Sequence, residues 1–283
     1  MRESKCWNKH LNMRRLICIV AFSALFTSFI QRPIRWVAIG DSITYLNDHL
    51  DETGGRLRKG YMTRVSELMP SVQYVNQGHN GWTSLDIAKA IETLGIPSAD
   101  VYTVFLGTND WWHGSPIGTW ADYLHGTGDT TVFGAFRIIV DKLRSLNPNA
   151  KIALITPMPR ADFVYINDSH NNAYGSYKDK DGQSLAQVAK AILAIGRREH
   201  LSVIDLYYDK RFAIPNLVHF KRLKDPSTGM YKDFTYPSFT RISFNPADEY
   251  PYPPEAMDMT YDGLHPGDKG DSVIAEEVVK VFK

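Results

Sequence analysis

The chain has 283 residues, 43% apolar, 22% charged and 12% aromatic, the make-up of a folded globular protein long enough to bury a sizeable core without covalent staples. Its 32 basic and 31 acidic residues leave a formal net charge of +1, which gives no electrostatic footprint for nucleic acid.

The first segment differs from the rest. Residues 1–15 carry Arg2, Lys5, Lys9, Arg14 and Arg15 against Glu3, and Leu16 to Ile30 is free of charge. A basic stretch followed by an apolar run of this length reads as a secretory signal. It falls short of the roughly 20 residues of a membrane-spanning helix. An uncleaved anchor and a buried core helix are the alternatives. The expected organisation is a leader or anchor at 1–30 and a folded region at 31–283. Export to the periplasm, the cell surface or the medium follows, with membrane contact only through an uncleaved leader. Both cysteines, Cys6 and Cys18, lie in the leader, so its removal leaves no disulfide and no thiol chemistry.

From Trp36 onward, β-rich apolar runs alternate with helical patterns. Strands are predicted at Trp36–Ile39, Val72–Val75, Val101–Leu106, Ile152–Ile155 and Val203–Leu206. Helices are predicted near Tyr61–Met69, Leu85–Leu94, Val132–Leu146, Ser184–Glu199 and Asp271–Lys283. This alternation implies βαβ units and a parallel sheet with helices on both faces. Three stretches, 45–59, 161–182 and 207–259, exceed ordinary connections. Each follows a predicted strand and is expected to overhang the carboxyl end of the sheet, as a functional loop or as cover for an edge.

Four short motifs fall at strand ends or loops. Gly40-Asp41-Ser42-Ile43-Thr44 follows the first strand and puts a hydroxyl where open α/β folds bind their ligands, although strand-Gly-Asp-Ser is also an ordinary turn. Asn76-Gln77-Gly78-His79-Asn80-Gly81 follows the second strand, and its glycines let a backbone N–H face the cleft. Gly107-Thr108-Asn109-Asp110 follows the third; its Asn either aims an amide at the same cleft or makes a plain turn. Asp262-Gly263-Leu264-His265 precedes the last helix, a spacing that lets the carboxylate accept the Nδ1 proton and leaves Nε2 as a base.

In this order the four motifs resemble the blocks of the SGNH hydrolases, the GDSL-type esterases and lipases. The resemblance runs from about Trp36 to the C-terminus. It implies a flavodoxin-like, three-layer α/β/α sandwich with a five-stranded parallel sheet, and it leaves the insertions unexplained. It also implies acyl transfer: Ser42 as nucleophile, His265 as general base and acid, and Asp262 holding the imidazole. The oxyanion would rest on the backbone N–H groups of Ser42 and Gly81 and on the Asn109 amide. Gly81 is preferred to Gly78 because the family uses the later glycine. The chain has no Gly-x-Ser-x-Gly, which argues against the α/β-hydrolase nucleophile elbow.

Asp41, His79, Trp82, Trp111 and Trp112 are further candidates for substrate contact, the indoles either stacking on a sugar or sealing the core under a loop. Neighbouring Trp111 and Trp112 cannot both point inward. No cofactor is required. A metal on Asp41, Asp262 and His265 lacks any ligand pair at helical spacing such as His-Glu-x-x-His. Asp179-Lys180-Asp181-Gly182 resembles part of a calcium loop but would place Val188 where the loop needs Glu. The expected activity is removal of small acyl groups, acetyl first, from a carbohydrate ester. The small acyl group follows from the lack of a long apolar stretch beyond the leader. The carbohydrate follows from the aromatic-rich loops, from export and from the habit of the family. A lipid esterase (lysophospholipase or thioesterase) and a non-catalytic glycan-binding protein on the same fold are the alternatives.

Overall fold

The computed structural model describes residues 32–283; the predicted leader lies outside them. Strands β1 (Ile34–Gly40), β2 (Val72–Gly78), β3 (Val101–Phe105), β4 (Lys151–Ile155), β5 (Phe163–Tyr165), β6 (Asp168–Ala173), β7 (Ser202–Ile204), β8 (Lys221–Lys224) and β9 (Tyr231–Phe234) are joined by eight α-helical segments. These are α1 (Ser42–Tyr45), α2 (Tyr61–Leu68), α3 (Ser84–Ala90), α4 (Thr108–Trp112), α5 (Trp120–His125), α6 (Val132–Leu146), α7 (Leu185–Arg198) and α8 (Asp268–Val279). The central sheet has five strands in the order β2-β1-β3-β4-β7, and every pairing in it is parallel.

Alternation along the strands builds the layers, because successive side chains point to opposite faces. Trp36 and Ala38 of β1, Val101 and Phe105 of β3, and Ala153 and Ile155 of β4 pack with Tyr61, Met62 and Val65 of α2 and with Ile274 and Val278 of α8. Val37 and Ile39, Tyr102 and Val104, and Ile152 and Leu154 pack the other way, against α3, α6 and α7 through Ile87, Phe136, Ile139, Val188 and Ile192. The result is the three-layer α/β/α sandwich implied by the sequence. Ile34–Lys283 forms one compact unit, and among the described residues no helix is long and apolar enough to cross a membrane.

The insertions divide in their roles. The first, 45–59, winds through two short 3₁₀ turns at Leu46–Asp48 and Leu50–Thr53. The second contains the antiparallel hairpin β5–β6. The third carries the hairpin β8–β9, and its Phe212, Leu217, Val218, Leu223, Phe239 and Tyr252 extend the α2/α8 core. Helices α4 and α5 were not expected: Gly107-Thr108-Asn109 reads as a turn. α5 is set off by a Thr119–Asp122 capping box.

Asp271 of α8 is buried, and its Oδ1 has no hydrogen-bond partner. Burial holds its carboxyl well above the usual range, against the pull of Arg64. A raised folded-state pKa means that ionisation destabilises: the penalty is absent below the unfolded carboxylate range of about 4 and grows until pH passes the folded value. Asp271→Asn should therefore raise Tm, by roughly 2–4 °C per kcal/mol relieved. The gain should be larger at pH 8 than at pH 4 in thermal melts of the two proteins. A gain independent of pH would exclude the buried charge as its cause.

Candidate active site

At the end of β1 the chain turns abruptly into α1. Asp41 is the N-cap, its Oδ1 accepting the Ile43 N–H at 3.0 Å. Two glycines let this short helix lie hard against the sheet. A Cβ on Gly40 would meet Thr44 Oγ1 at 2.1 Å, and one on Gly78, its cross-strand neighbour, would meet the Tyr45 nitrogen at 2.2 Å. Gly78 thus serves packing. Ser42 occupies the first position of the helix, where a backbone N–H has no intrahelical acceptor.

The segment before α8 brings Asp262 and His265 to Ser42. His265 Nε2 lies 2.8 Å from Ser42 Oγ, and its Nδ1 lies 2.7 Å from Asp262 Oδ2. Asp262 Oδ1 accepts the backbone N–H groups of Leu264 at 3.0 Å and His265 at 2.7 Å. Those two donors hold the carboxylate, which is fully buried. The His265 ring stacks near Tyr261 (5.9 Å between centroids) and meets Phe163 edge-on at 5.5 Å. Gly263, at φ +88, lies so close to the chain that a Cβ would meet the Asp162 carbonyl oxygen at 2.1 Å. Ala161 N–H donates to the Gly263 carbonyl at 2.8 Å and Val164 N–H to that of Asp262 at 3.2 Å. The start of the second insertion therefore braces the Asp262 turn.

The brace is itself braced. The Asp162 carboxylate accepts Lys221 Nζ at 2.7 Å, the Gly175 N–H at 2.7 Å and the Tyr177 hydroxyl, while the Tyr252 hydroxyl donates to the Asp162 carbonyl. Lys221 is fully buried, and burial lowers its ammonium pKa against the pull of Asp162. Lys221 and Tyr252 belong to the third insertion. That insertion lines no part of the cavity at Ser42, whereas residues of the other two do. The third supports the site from behind.

A cavity of about 390 Å³ opens on Ser42 and His265. Gly81, Asn80 and Asn109 form one wall, Leu46 and Glu52 of the first insertion another, and Phe163, Tyr165 and Ala173 of the second a third. Gly81 has φ +77 with nothing within 4 Å of a built Cβ, so it is the backbone conformation, not crowding, that favours glycine there. Asn109, at the start of α4, donates one Nδ2 hydrogen to the Trp82 carbonyl at 3.0 Å. That bond orients the amide and leaves its second hydrogen for the cavity.

Four of the candidate substrate contacts are not on the cavity wall. Asp41 is turned into its cap, and burial pushes its carboxyl up to about 7. His79 stacks on Trp82 at 4.3 Å behind the glycine turn, its Nε2 buried without a partner, and burial lowers its imidazole pKa. Trp111 is fully buried, its Nε1 donating to the Gln183 carbonyl at 2.9 Å. Trp112 alone of the five lines the cavity. Its position is set by Tyr174, edge-on at 5.0 Å, and by the Arg160 guanidinium at 4.9 Å. Arg160, Phe163, Tyr165, Tyr261 and Leu264 also line the cavity without having been singled out in the sequence. Next to Asn109, buried Asp110 accepts the Ser84 N–H and hydroxyl, and its carboxyl is pushed up to about 6 by burial. Among the described residues no group of three or more His, Cys, Asp or Glu side chains is placed to hold a metal ion.

If Asn109 donates to the oxyanion, Asn109→Ala should lower kcat about 10²–10³-fold with KM little changed. Steady-state kinetics on p-nitrophenyl acetate tests this, and a loss confined to KM would remove Asn109 from that role.

The GDSL-like Lipase/Acylhydrolase family matches residues 38–273. The crystal structure of a possible lipase from Chitinophaga pinensis is similar over 88% of this chain and 97% of its own, at 59% identity and a TM-score of 0.87. A protein of known structure from Lactobacillus plantarum shares the fold at 22% identity and a TM-score of 0.58, over 88% of this chain and 96% of its own. No curated protein matches the chain. The chain belongs to the GDSL-like lipase/acylhydrolase family of the SGNH superfamily and is a carboxylic ester hydrolase.

Proposed function

We propose that this enzyme is a serine esterase that removes small acyl groups, acetyl foremost, from a carbohydrate outside the cytoplasm. The observation that carries the reading is the hydrogen-bonded line Ser42–His265–Asp262 at the floor of an open cavity. Ser42 Oγ attacks the ester carbonyl as His265 Nε2 takes its proton. Asp262 keeps Nδ1 protonated and stabilises the imidazolium. The carbonyl oxygen, now charged, accepts from the Ser42 and Gly81 N–H groups and from Asn109 Nδ2. His265 then protonates the leaving alcohol, and a water deprotonated by the same nitrogen releases the acid and restores Ser42.

The small acyl group is supported by the size of the cavity, near the lower end of the range of about 300–1,000 Å³ for small-ligand sites. Its apolar lining, Leu46, Phe163, Ala173, Tyr261 and Leu264 with Trp112 and Tyr165, forms no long channel of its own. The carbohydrate is supported by Trp112 sharing the cavity lining with the hydrogen-bonding side chains of Asn80, Asn171 and Glu52. Export is supported by the leader pattern of residues 1–30.

Hydrolysis of p-nitrophenyl esters from acetate to palmitate tests the acyl preference, with Ser42→Ala as background. The expected profile has its highest kcat/KM at acetate and falls steadily with chain length. A profile rising toward long chains would replace the deacetylase by a lipid esterase.

A further inference from the structure

The mechanism leaves one charged side chain of the cavity without a task. Arg160 lines the cavity with Ser42 and His265, yet is only 1% exposed. Its guanidinium lies over the rings of Trp111 and Trp112, at 4.6 and 4.9 Å, and Nη2 donates to the Tyr174 carbonyl at 3.1 Å. Nε is buried and has no acceptor. Of the five N–H hydrogens that a guanidinium carries, only this one from Nη2 meets an acceptor among the described residues.

The nearby carboxylates are engaged elsewhere. Asp162 takes Lys221, Tyr177 and Gly175, and Asp262 takes the His265 ring and two backbone N–H groups. Glu52, on the same cavity, accepts the Tyr45 hydroxyl at 2.8 Å. Burial lowers the guanidinium to about 10, so it remains a cation at neutral pH. The indoles compensate part of its desolvation. Nε is sealed from the cavity, so a ligand with acceptor oxygens would meet the guanidinium at its Nη groups.

We propose that Arg160 is a specificity-determining residue that receives a carboxylate carried by the ester substrate, making this an esterase of acidic rather than neutral substrates. The inference rests on the esterase reading above. A guanidinium matches a carboxylate in shape and hydrogen-bonding geometry, and in this desolvated wall the bond weakens little in salt. The carboxylate belongs either to the alcohol part, as in an acetylated acidic sugar, or to the acyl part.

Two substrate pairs separate these sources. On the alcohol side, an O-acetylated methyl galacturonoside is compared with its carboxamide by acetate release. On the acyl side, the mono-p-nitrophenyl ester of adipic acid is compared with its terminal amide. The parent protein should favour the acid over the amide about 10- to 100-fold in kcat/KM in one pair, which identifies the side. In Arg160→Met the same ratio should fall to near 1, and in Arg160→Lys to an intermediate value. Each protein is its own reference, so loss of folded enzyme cancels from the ratio. Ratios near 1 in both pairs for the parent, or a ratio unchanged in Arg160→Met, would overturn the proposal and leave Arg160 as a prop for the two indoles. If p-nitrophenyl acetate hydrolysis remains dependent on Ser42 in that case, the esterase reading survives. If Ser42→Ala hydrolyses it as fast as the parent, the esterase reading itself falls.

Discussion

Ser42→Ala is expected to lower kcat on p-nitrophenyl acetate by about 10⁴–10⁶, while Tm should stay within a degree or two. The first half follows from the line of hydrogen bonds: without Oγ, His265 Nε2 has no nucleophile within reach, and no other hydroxyl bonds to it. A residual rate is expected from water attacking a carbonyl still held by the backbone N–H groups of residue 42 and Gly81 and by Asn109, so that the loss stops short of the full catalytic effect. The second half follows from the place of Ser42 in α1. Asp41, not Ser42, caps the helix, and alanine suits a helical first turn. Steady-state kinetics with a thermal melt of the same preparation reads both. A loss of less than tenfold would mean that Ser42 is not the nucleophile.

Asp262→Asn is expected to lower kcat by about 10⁴, and local geometry makes the outcome unusually definite. The two backbone N–H groups on Oδ1 require an acceptor there. An asparagine must therefore present its oxygen to them and its NH₂ to His265 Nδ1. Nδ1 then becomes an acceptor, the ring proton moves to Nε2, and the nitrogen facing Ser42 can no longer take a proton. The fold should persist, because both backbone bonds survive. Activity within tenfold of the parent would show that the carboxylate does not select the tautomer. An Asp262→Ala variant that is much less stable than Asp262→Asn would support the separate, anchoring role of Oδ1.

What could be read beforehand reflects how locally each feature is encoded. Strands such as Val101–Phe105 are buried throughout and mostly apolar because both faces are covered, and the five were located within a few residues. Ser42, Gly81, Asn109, Asp262 and His265 were legible because each sits in a short motif tied to a strand end or to the last helix. β6 was not, because Asp-Ser-His-Asn-Asn-Ala has no apolar alternation and becomes a strand only by pairing with β5. Arg160 follows Pro157-Met158-Pro159, where nothing local suggests burial. Its surroundings come from Trp111 and Trp112 after β3 and from Tyr174 after β6, brought together only by folding. Trp111 and Trp112 were expected not to both point inward, yet Trp111 is sealed in the core and Trp112 is half-buried against the same cluster while it lines the cavity. His79 and Trp82 look like cavity residues by sequence proximity to Gly81, but the turn folds their stacked rings behind it.

The Asp162–Lys221 pair sets a limit on trimming this enzyme to a minimal scaffold. Excising the stretch 207–259 spares the cavity at Ser42 but removes Phe212, Leu217, Val218, Leu223, Phe239 and Tyr252 from the core. It would strip Asp162 of its buried counter-charge and of the Tyr252 hydroxyl, leaving an unpaired carboxylate next to the turn that carries Asp262. Loss of one partner of a buried pair typically destabilises by about 3–5 kcal/mol. A shortened protein would thus lose part of its core together with the brace of the Asp262 turn, so stability and activity would fall together.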